Sequence, residues 1–347
     1  MQSTSKHAKH SKKGGVLSPR VVKLTKLSSS LSLLVLLGGV ASCGSSQSPS
    51  NEVVCATIHR YGIPLEPEEW SARGGHGQVI SMRKDGVTIV RNYEGGLLHG
   101  QCTYSFPYAE EIQHIETYDQ GHLKRDLFHY PNGFPQREVV YHSPLHQFVT
   151  VWYESGAPHI REEVENGRWI EGEYYRLDQQ VESHVIKGNG LRTCRDAQGV
   201  LQFIDTVQEG QIVLRTTYHP NGMPAAHTPY VQGVIEGERR SYFSGGEPAT
   251  IEMWRNNTQH GITHVFEQGE KRADIPYVHG QKHGIERCYR HNGKTVDDNT
   301  LAQEVSWVNG QKHGPVHHYI GDVKETDWYF HDRPVLNKPM FDMLDNP

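Results

Sequence analysis

The sequence predicts an all-β protein, an elongated repeat array of antiparallel β-hairpins forming one long twisted sheet. Three observations predict it. An aromatic residue, a Gly three positions later and a second Gly four further on recur with a period near 23 residues. A second turn signal follows 12 or 13 residues after the first, as a Gly with an aromatic three or four residues ahead of it. Between the turns β-branched and aromatic residues dominate, and no stretch has helical periodicity long enough to compete.

The pattern is cleanest at Tyr277, with Gly280 and Gly284, and at Trp307, with Gly310 and Gly314. The same register holds at Tyr93 with Gly96 and Gly100, Tyr230 with Gly233 and Gly237, and Trp254 with Asn257 and Gly261. Tyr118 with Gly121, Val164 with Gly167 and Val207 with Gly210 keep only the first glycine, and Pro144 holds the turn slot after Tyr141. The second signal is carried by Gly133, Gly156, Gly222, Gly246, Gly269 and Gly293. Their leading aromatics are Tyr130, Tyr153, Tyr218, Tyr242 or Phe243, Phe266 and Tyr289. Successive first turns lie 23 to 30 residues apart, except for an interval of 43 between Gly167 and Gly210. That gap leaves room for one short, degenerate unit near Gly190 and Gly199, giving about ten units in all.

Residues 1–42 are a different kind of sequence, with seven Lys/Arg and no acid, ending in an apolar run from Leu31 to Val40. A run of about ten is too short to span a bilayer, and with its basic flank it reads as an export signal. The run ends Val40-Ala41-Ser42-Cys43, and a polar Gly/Ser tether follows over 43–52. Residues 53–87 are turn-rich and out of register, as expected of an N-terminal cap on an open sheet edge. Residues 88–335 hold the hairpin repeats, and 336–347 are expected to form a C-terminal tail or cap. The period falters near 181–205, where a bend between two sub-arrays is expected.

Each unit has a physical reading. A strand ends at the first aromatic, a tight turn uses the Gly, and a short strand starts at the second Gly. Asn132-Gly133, Asn221-Gly222 and Asn292-Gly293 are expected at two-residue hairpin turns that need positive φ. Alternation places Ile262, His264 and Phe266 on one face, with Thr263 and Val265 on the other. About twenty strands would make a body on the order of 90–100 Å long, with aromatic columns running along it.

Without its first 42 residues the chain keeps 28 of its 35 basic residues against 40 acids, a net charge of −12. That balance argues against nucleic acid, which rewards positive charge. Cys102, Cys194 and Cys288 lie about four units apart, too far to pair, and only Cys55 with Cys102 is geometrically open to a disulfide. His99, His260, His283 and His313 occupy one repeat position just before the second Gly. Neighbouring rungs stand about 10 Å apart, too far to share a metal, so a repeated turn histidine is expected and no metal or cofactor site. Glu162-Glu163, adjacent on a strand, is expected to lie on a solvated face. No nucleophile elbow, phosphate loop, Cys-x-x-Cys or His-Glu-x-x-His appears, so the expectation is a protein that is not an enzyme.

The residues carry two resemblances. Val40 to Cys43 resembles the lipobox of bacterial lipoproteins, which implies that Cys43 is the lipidated first residue of the mature chain; the alternative is an ordinary secretory signal with an incidental cysteine. More than one acyl chain would make such anchoring stable. The aromatic-x-x-Gly-x-x-x-Gly cadence over about 88–325 resembles MORN repeats, with a flavour similar to the bacterial antitoxin-type variant. That resemblance implies a curved sheet of stacked hairpins that binds proteins or lipids. The combined expectation is a membrane-anchored lipoprotein of the bacterial cell envelope, on the outer-membrane or periplasmic side, serving as a scaffold for a protein partner. The alternatives are a membrane- or glycan-binding module and an antitoxin-type protein. The candidate binding face is the aromatic rows: Tyr93, Tyr118, Tyr130, Tyr153, Tyr218, Tyr230, Trp254, Phe266, Tyr277, Tyr289, Trp307 and Tyr319.

Overall fold

The computed structural model describes residues 52–291 and 299–346, so Cys43, the segment before it and Gly293 lie outside the described residues. The described residues form one antiparallel sheet of 28 strands, open rather than closed on itself. More strands form than the repeat count suggests. Four are two-residue stubs between the first turn and the second Gly: Leu97–Leu98, Val234–Ile235, Thr258–Gln259 and Gln281–Lys282. Two more, Glu52–His59 and Gly77–Arg83, come from the stretch read as an N-terminal cap.

The two turn signals exchange the geometries expected of them. The two-residue turn with both residues left-handed sits at the first glycine, as at Gln120 (φ 47°) with Gly121 (φ 80°) and Asn309 (φ 49°) with Gly310 (φ 83°). At Asn132-Gly133 only the glycine is left-handed, at φ 85°. The loop there is one residue longer: Tyr130 donates to the Phe134 carbonyl at 2.8 Å and Gly133 to the Tyr130 carbonyl at 2.9 Å. Asn132 serves through its side chain, accepting from Phe134 N at 3.0 Å and donating to the Glu154 carbonyl of the next unit at 2.9 Å. Asparagine is chosen there for those bonds rather than for positive φ.

These turns couple one unit to the next. The first-turn glycine N–H donates to a carbonyl one unit upstream, as in Gly121 to Leu98 at 2.7 Å, Gly280 to Gln259 at 2.9 Å and Gly310 to Lys282 at 2.9 Å. Units that lack the second glycine keep the bulge that it marks. Thr117 pairs with Arg125 and Tyr118 with Leu123, leaving Lys124 as the extra residue.

Register places most of the buried residues on one face, including Cys102, Val139, Val185, Val207, Thr263, Ala273, Val305 and Val316. The degenerate stretch 181–205 stays within the one sheet, but its strands Val181–Ile186 and Asn189–Arg195 share only the pairs Val185 with Gly190 and Ile186 with Asn189. The sheet coils tightly here. Trp169 N donates to Gly210 O at 3.1 Å and Gly188 N to Ile170 O at 2.8 Å, bringing the turns of three units together. Gly190 is required at this point: its φ is 144°, and a Cβ would stand 2.0 Å from the His184 carbonyl.

Both ends are modified. At the first strand, Leu65 N donates to Thr57 O at 2.8 Å and Pro64 bridges Ile58, covering part of the outer edge. At the other end the helix Lys338–Asp345, started by Asn337 accepting from Met340 N at 3.1 Å, lays buried Phe341 against Trp328 and His313.

Candidate functional site: a coiled ion chain and an aliphatic row

The twelve predicted aromatics do not form one exposed face. Tyr93, Tyr118, Tyr230, Trp254, Tyr277 and Trp307 fall by register on the face that carries the core, whereas Phe266, Tyr289 and Tyr319 lie on the opposite one. Tyr153 is buried and the other eleven are half-buried. Several are tied down. Tyr130 OH donates to Trp152 O at 2.9 Å and Tyr153 OH to Tyr175 O at 3.0 Å, each reaching one unit ahead. Tyr289 OH donates to Asp274 at 2.8 Å and Tyr319 OH to Glu304 at 2.8 Å. Burial and the Asp274 carboxylate push the Tyr289 phenol up to about 12. These rings staple the array.

The histidine position has a shared role that the sequence showed only as a recurrence. The residue before the second glycine accepts the N–H of the first turn residue in the next unit. His99 takes Gln120 N at 3.4 Å, His283 takes Asn309 N at 3.4 Å, and His76, in the same relation to Gly77, takes Gly95 N at 3.1 Å. Glu236 and Asn189 do the same for Asn256 N and Glu209 N, at 2.8 and 3.2 Å. The position selects an acceptor, and a neutral imidazole is one of three that fit. His313 differs, bonding Asp345 of the C-terminal helix at 2.9 Å.

Cys55 is exposed and Cys102 buried, and both are free thiols. They stand on strands separated by two others, about 14 Å across the sheet, which excludes the bridge left open by the sequence. Burial pushes the Cys102, Cys194 and Cys288 thiols up, away from the reactive thiolate.

The expectation for Glu162-Glu163 is also overturned. Glu163 is half-buried and bonds His146 at 2.8 Å, while Glu162 points into the core face. There it belongs to a chain of alternating charges. Arg192 Nε donates to Glu162 Oε1 at 2.5 Å, and Arg192 Nη1 reaches Asp205 Oδ2 at 3.2 Å. Arg215 holds both Asp205 oxygens, at 2.6 and 2.9 Å. Tyr174 OH also donates to Glu162, at 3.0 Å. The side chains of Arg192, Glu162 and Asp205 are 5%, 7% and 0% exposed, and the guanidinium lies 5.3 Å from the Trp169 ring. Burial opposes the charge on Arg192, but Glu162, Tyr174 and Asp205 outweigh it and hold the guanidinium firmly protonated. Tyr174 is raised by burial first and by Glu162 second. With two cations facing two anions the cluster is charge-balanced, and it ties the strands of the tight coil together through Glu162, Arg192, Asp205 and Arg215.

The exposed signature lies on the other face. Leu191 pairs with Thr206, Thr206 with Leu214 and Leu214 with Pro229. On the next strand the same face carries exposed Glu238, which breaks the row, and alternation then gives a continuous run of Met253, Ile262, Pro276 and Ile285. Leu191, Met253, Ile262 and Ile285 are 45%, 42%, 48% and 45% exposed. These residues stand immediately after a second glycine or immediately before a first aromatic. The repeat frame therefore places them, although a search confined to aromatics passes over them.

No family model and no curated protein matches the chain. Among solved structures it is similar to the crystal structure of TcdB2-TccC3-Cdc42, at 12% identity and a TM-score of 0.21. That match covers 80% of this chain and 18% of the other, so the chain spans well under two thirds of that structure's length.

Proposed function

We propose that this chain is a scaffold for protein–protein interaction in the bacterial cell envelope, anchored by lipid on Cys43, with a MORN-like hairpin array and no catalytic activity of its own. The observation that carries the protein-binding part is the aliphatic row from Met253 through Ile262 and Pro276 to Ile285. Its members repeat with the hairpins, so it presents a periodic apolar strip rather than isolated surface residues, and extended apolar patches mark interaction sites. The half-burial of the tyrosines and tryptophans in the repeat rows counts against a glycan reader built on those rows, which needs exposed ring faces, and leaves protein as the favoured partner. The lipid anchor rests on the Val40–Cys43 sequence and its polar tether.

The test is photo-crosslinking in intact cells from a probe placed at Ile262, compared with one at Tyr118 on the core face. The reading expects a discrete adduct from Ile262 that disappears in a Met253→Lys/Ile285→Lys variant of unchanged thermal stability. An adduct from Tyr118 alone would move the binding surface to the other face and overturn the assignment.

A further inference from the structure

We infer that the row from Met253 to Ile285 is a homotypic docking surface, which receives the outer flank of the C-terminal helix Lys338–Asp345 of a second copy of this chain. The inference deepens the reading of the row as a protein-binding strip and rests on it. Register extends the face of the row beyond Ile285. Ile285 pairs with Ser306, the next strand presents Pro315, and Pro315 pairs with Trp328, with Phe330 two residues on. The helix is seated at that end. The Phe341 ring lies 5.4 Å from Trp328, 5.1 Å from His313 and 6.3 Å from Phe330, and Asp345 bonds His313 at 2.9 Å. This face of the sheet already carries a short helix through one apolar anchor.

The helix keeps a second apolar side. Phe341 is buried, while Met340, Met343 and Leu344 are 44%, 75% and 41% exposed. At about 100° per residue these three share one flank, with Met343 farthest from the Phe341 seat. The chain therefore exposes two apolar patches on one face, and Ile285 stands about 14 Å from Trp328 across three strand spacings. Charge favours joining the patches. Arg255, on the row face two residues beyond Met253, is exposed, and its guanidinium has no acidic partner among the described residues. Asp342 on the helix is 50% exposed and pairs with Lys338 at 2.6 Å. Arg287, the cation on the other flank of the row, is already held by Glu304 at 3.2 Å.

Symmetry makes a second copy the occupant. A two-fold axis parallel to the strands and over Asn299–Val308, about midway between the patches, lays each copy's helix flank on the other's row. Asp342 of one copy then comes beside Arg255 of the other. Each contact is made twice, and both patches are consumed in a closed pair rather than left to propagate a filament. A partner of different sequence would cover the row alone and leave Met343 in water.

The experiment places a photo-crosslinking probe at Ile262 of the full chain, in cells that express two differently tagged copies. The inference expects an adduct of twice the chain's mass that carries both tags and maps by mass spectrometry to the helix Lys338–Asp345. Met343→Asp should lower its yield by about tenfold with an unchanged melting curve, because the new carboxylate would be buried against the row. Arg255→Asp should weaken the adduct, and adding Asp342→Arg should restore it. An adduct with a different protein, carrying one tag, overturns the inference and leaves the protein-binding reading of the row standing. Absence of any adduct removes both. A two-tag adduct that Met343→Asp leaves unchanged, or a charge swap that restores nothing, also overturns the inference.

Discussion

Replacing Arg192 by Met removes the central cation of the buried chain and keeps most of the side-chain volume. Asp205 then retains Arg215 at 2.6 and 2.9 Å, but Glu162 is left with only the Tyr174 hydroxyl at 3.0 Å, in a site where its side chain is 7% exposed. Breaking a buried ion pair in this way costs about 3–5 kcal/mol, because the surviving charge stays out of water without compensation. Urea unfolding followed by tryptophan fluorescence and circular dichroism gives the loss. Adding Glu162→Gln removes the orphaned charge while leaving an acceptor for Tyr174. The double variant should therefore recover roughly half of the loss, a coupling of about 1–3 kcal/mol between the two sites. An Arg192→Met loss below about 1 kcal/mol would mean that the charge chain does not hold the coil. Equal losses in the single and double variants would show that Glu162 is not the source of the penalty.

Four other perturbations test separate parts of the structure. Burial, aided by Arg192 and Arg195, lowers His159 from 6.5 to about 4. The unfolded chain therefore takes up this proton first, so the stability linked to His159 is present above 6.5 and is lost as pH falls toward 4. The loss is at most about 3 kcal/mol, and His159→Phe, which preserves the stack on Tyr153, should flatten that part of a melting-temperature profile against pH. Gly190→Ala places a Cβ 2.0 Å from the His184 carbonyl and should cost at least about 3 kcal/mol in a denaturant melt. Gly133→Ala, with open space around it, should cost about 1 kcal/mol, as expected for left-handed backbone alone. Tyr153→Phe strips the donor from the buried Tyr175 carbonyl and should cost about 1–3 kcal/mol, with faster amide exchange in the Tyr153–Ala157 turn as the local readout.

The hairpin array was legible because its punctuation is steric. Left-handed residues at fixed intervals force turns, and the first-turn glycines from Gly96 to Gly310 mark the strands even where the second glycine is missing. Turn type was less legible, since Asn-Gly suits both a two-residue turn and the longer loop found at Asn132-Gly133, and only the backbone bonds tell them apart. The ion chain could not be read from sequence. Arg192 meets Glu162 across 30 residues and Asp205 across 13, inside the unit whose repeat pattern is weakest. Its single local clue was Glu162-Glu163, where alternation must send one carboxylate to each face and the inward one needs a cation. The aliphatic row needed the register as well, because Met253 and Ile262 are neighbours only once the bulges are placed.

The proposed division of labour, with lipid for the membrane and the sheet for protein, is tested most directly by vesicle flotation. Residues 51–347, which lack Cys43, would be mixed with neutral and with anionic vesicles. The account predicts that the protein stays at the bottom of both gradients, since these residues carry excess negative charge and the aromatic rings at the repeat positions are buried or half-buried. Flotation with either vesicle would contradict it, and would mean that the sheet itself contacts the membrane.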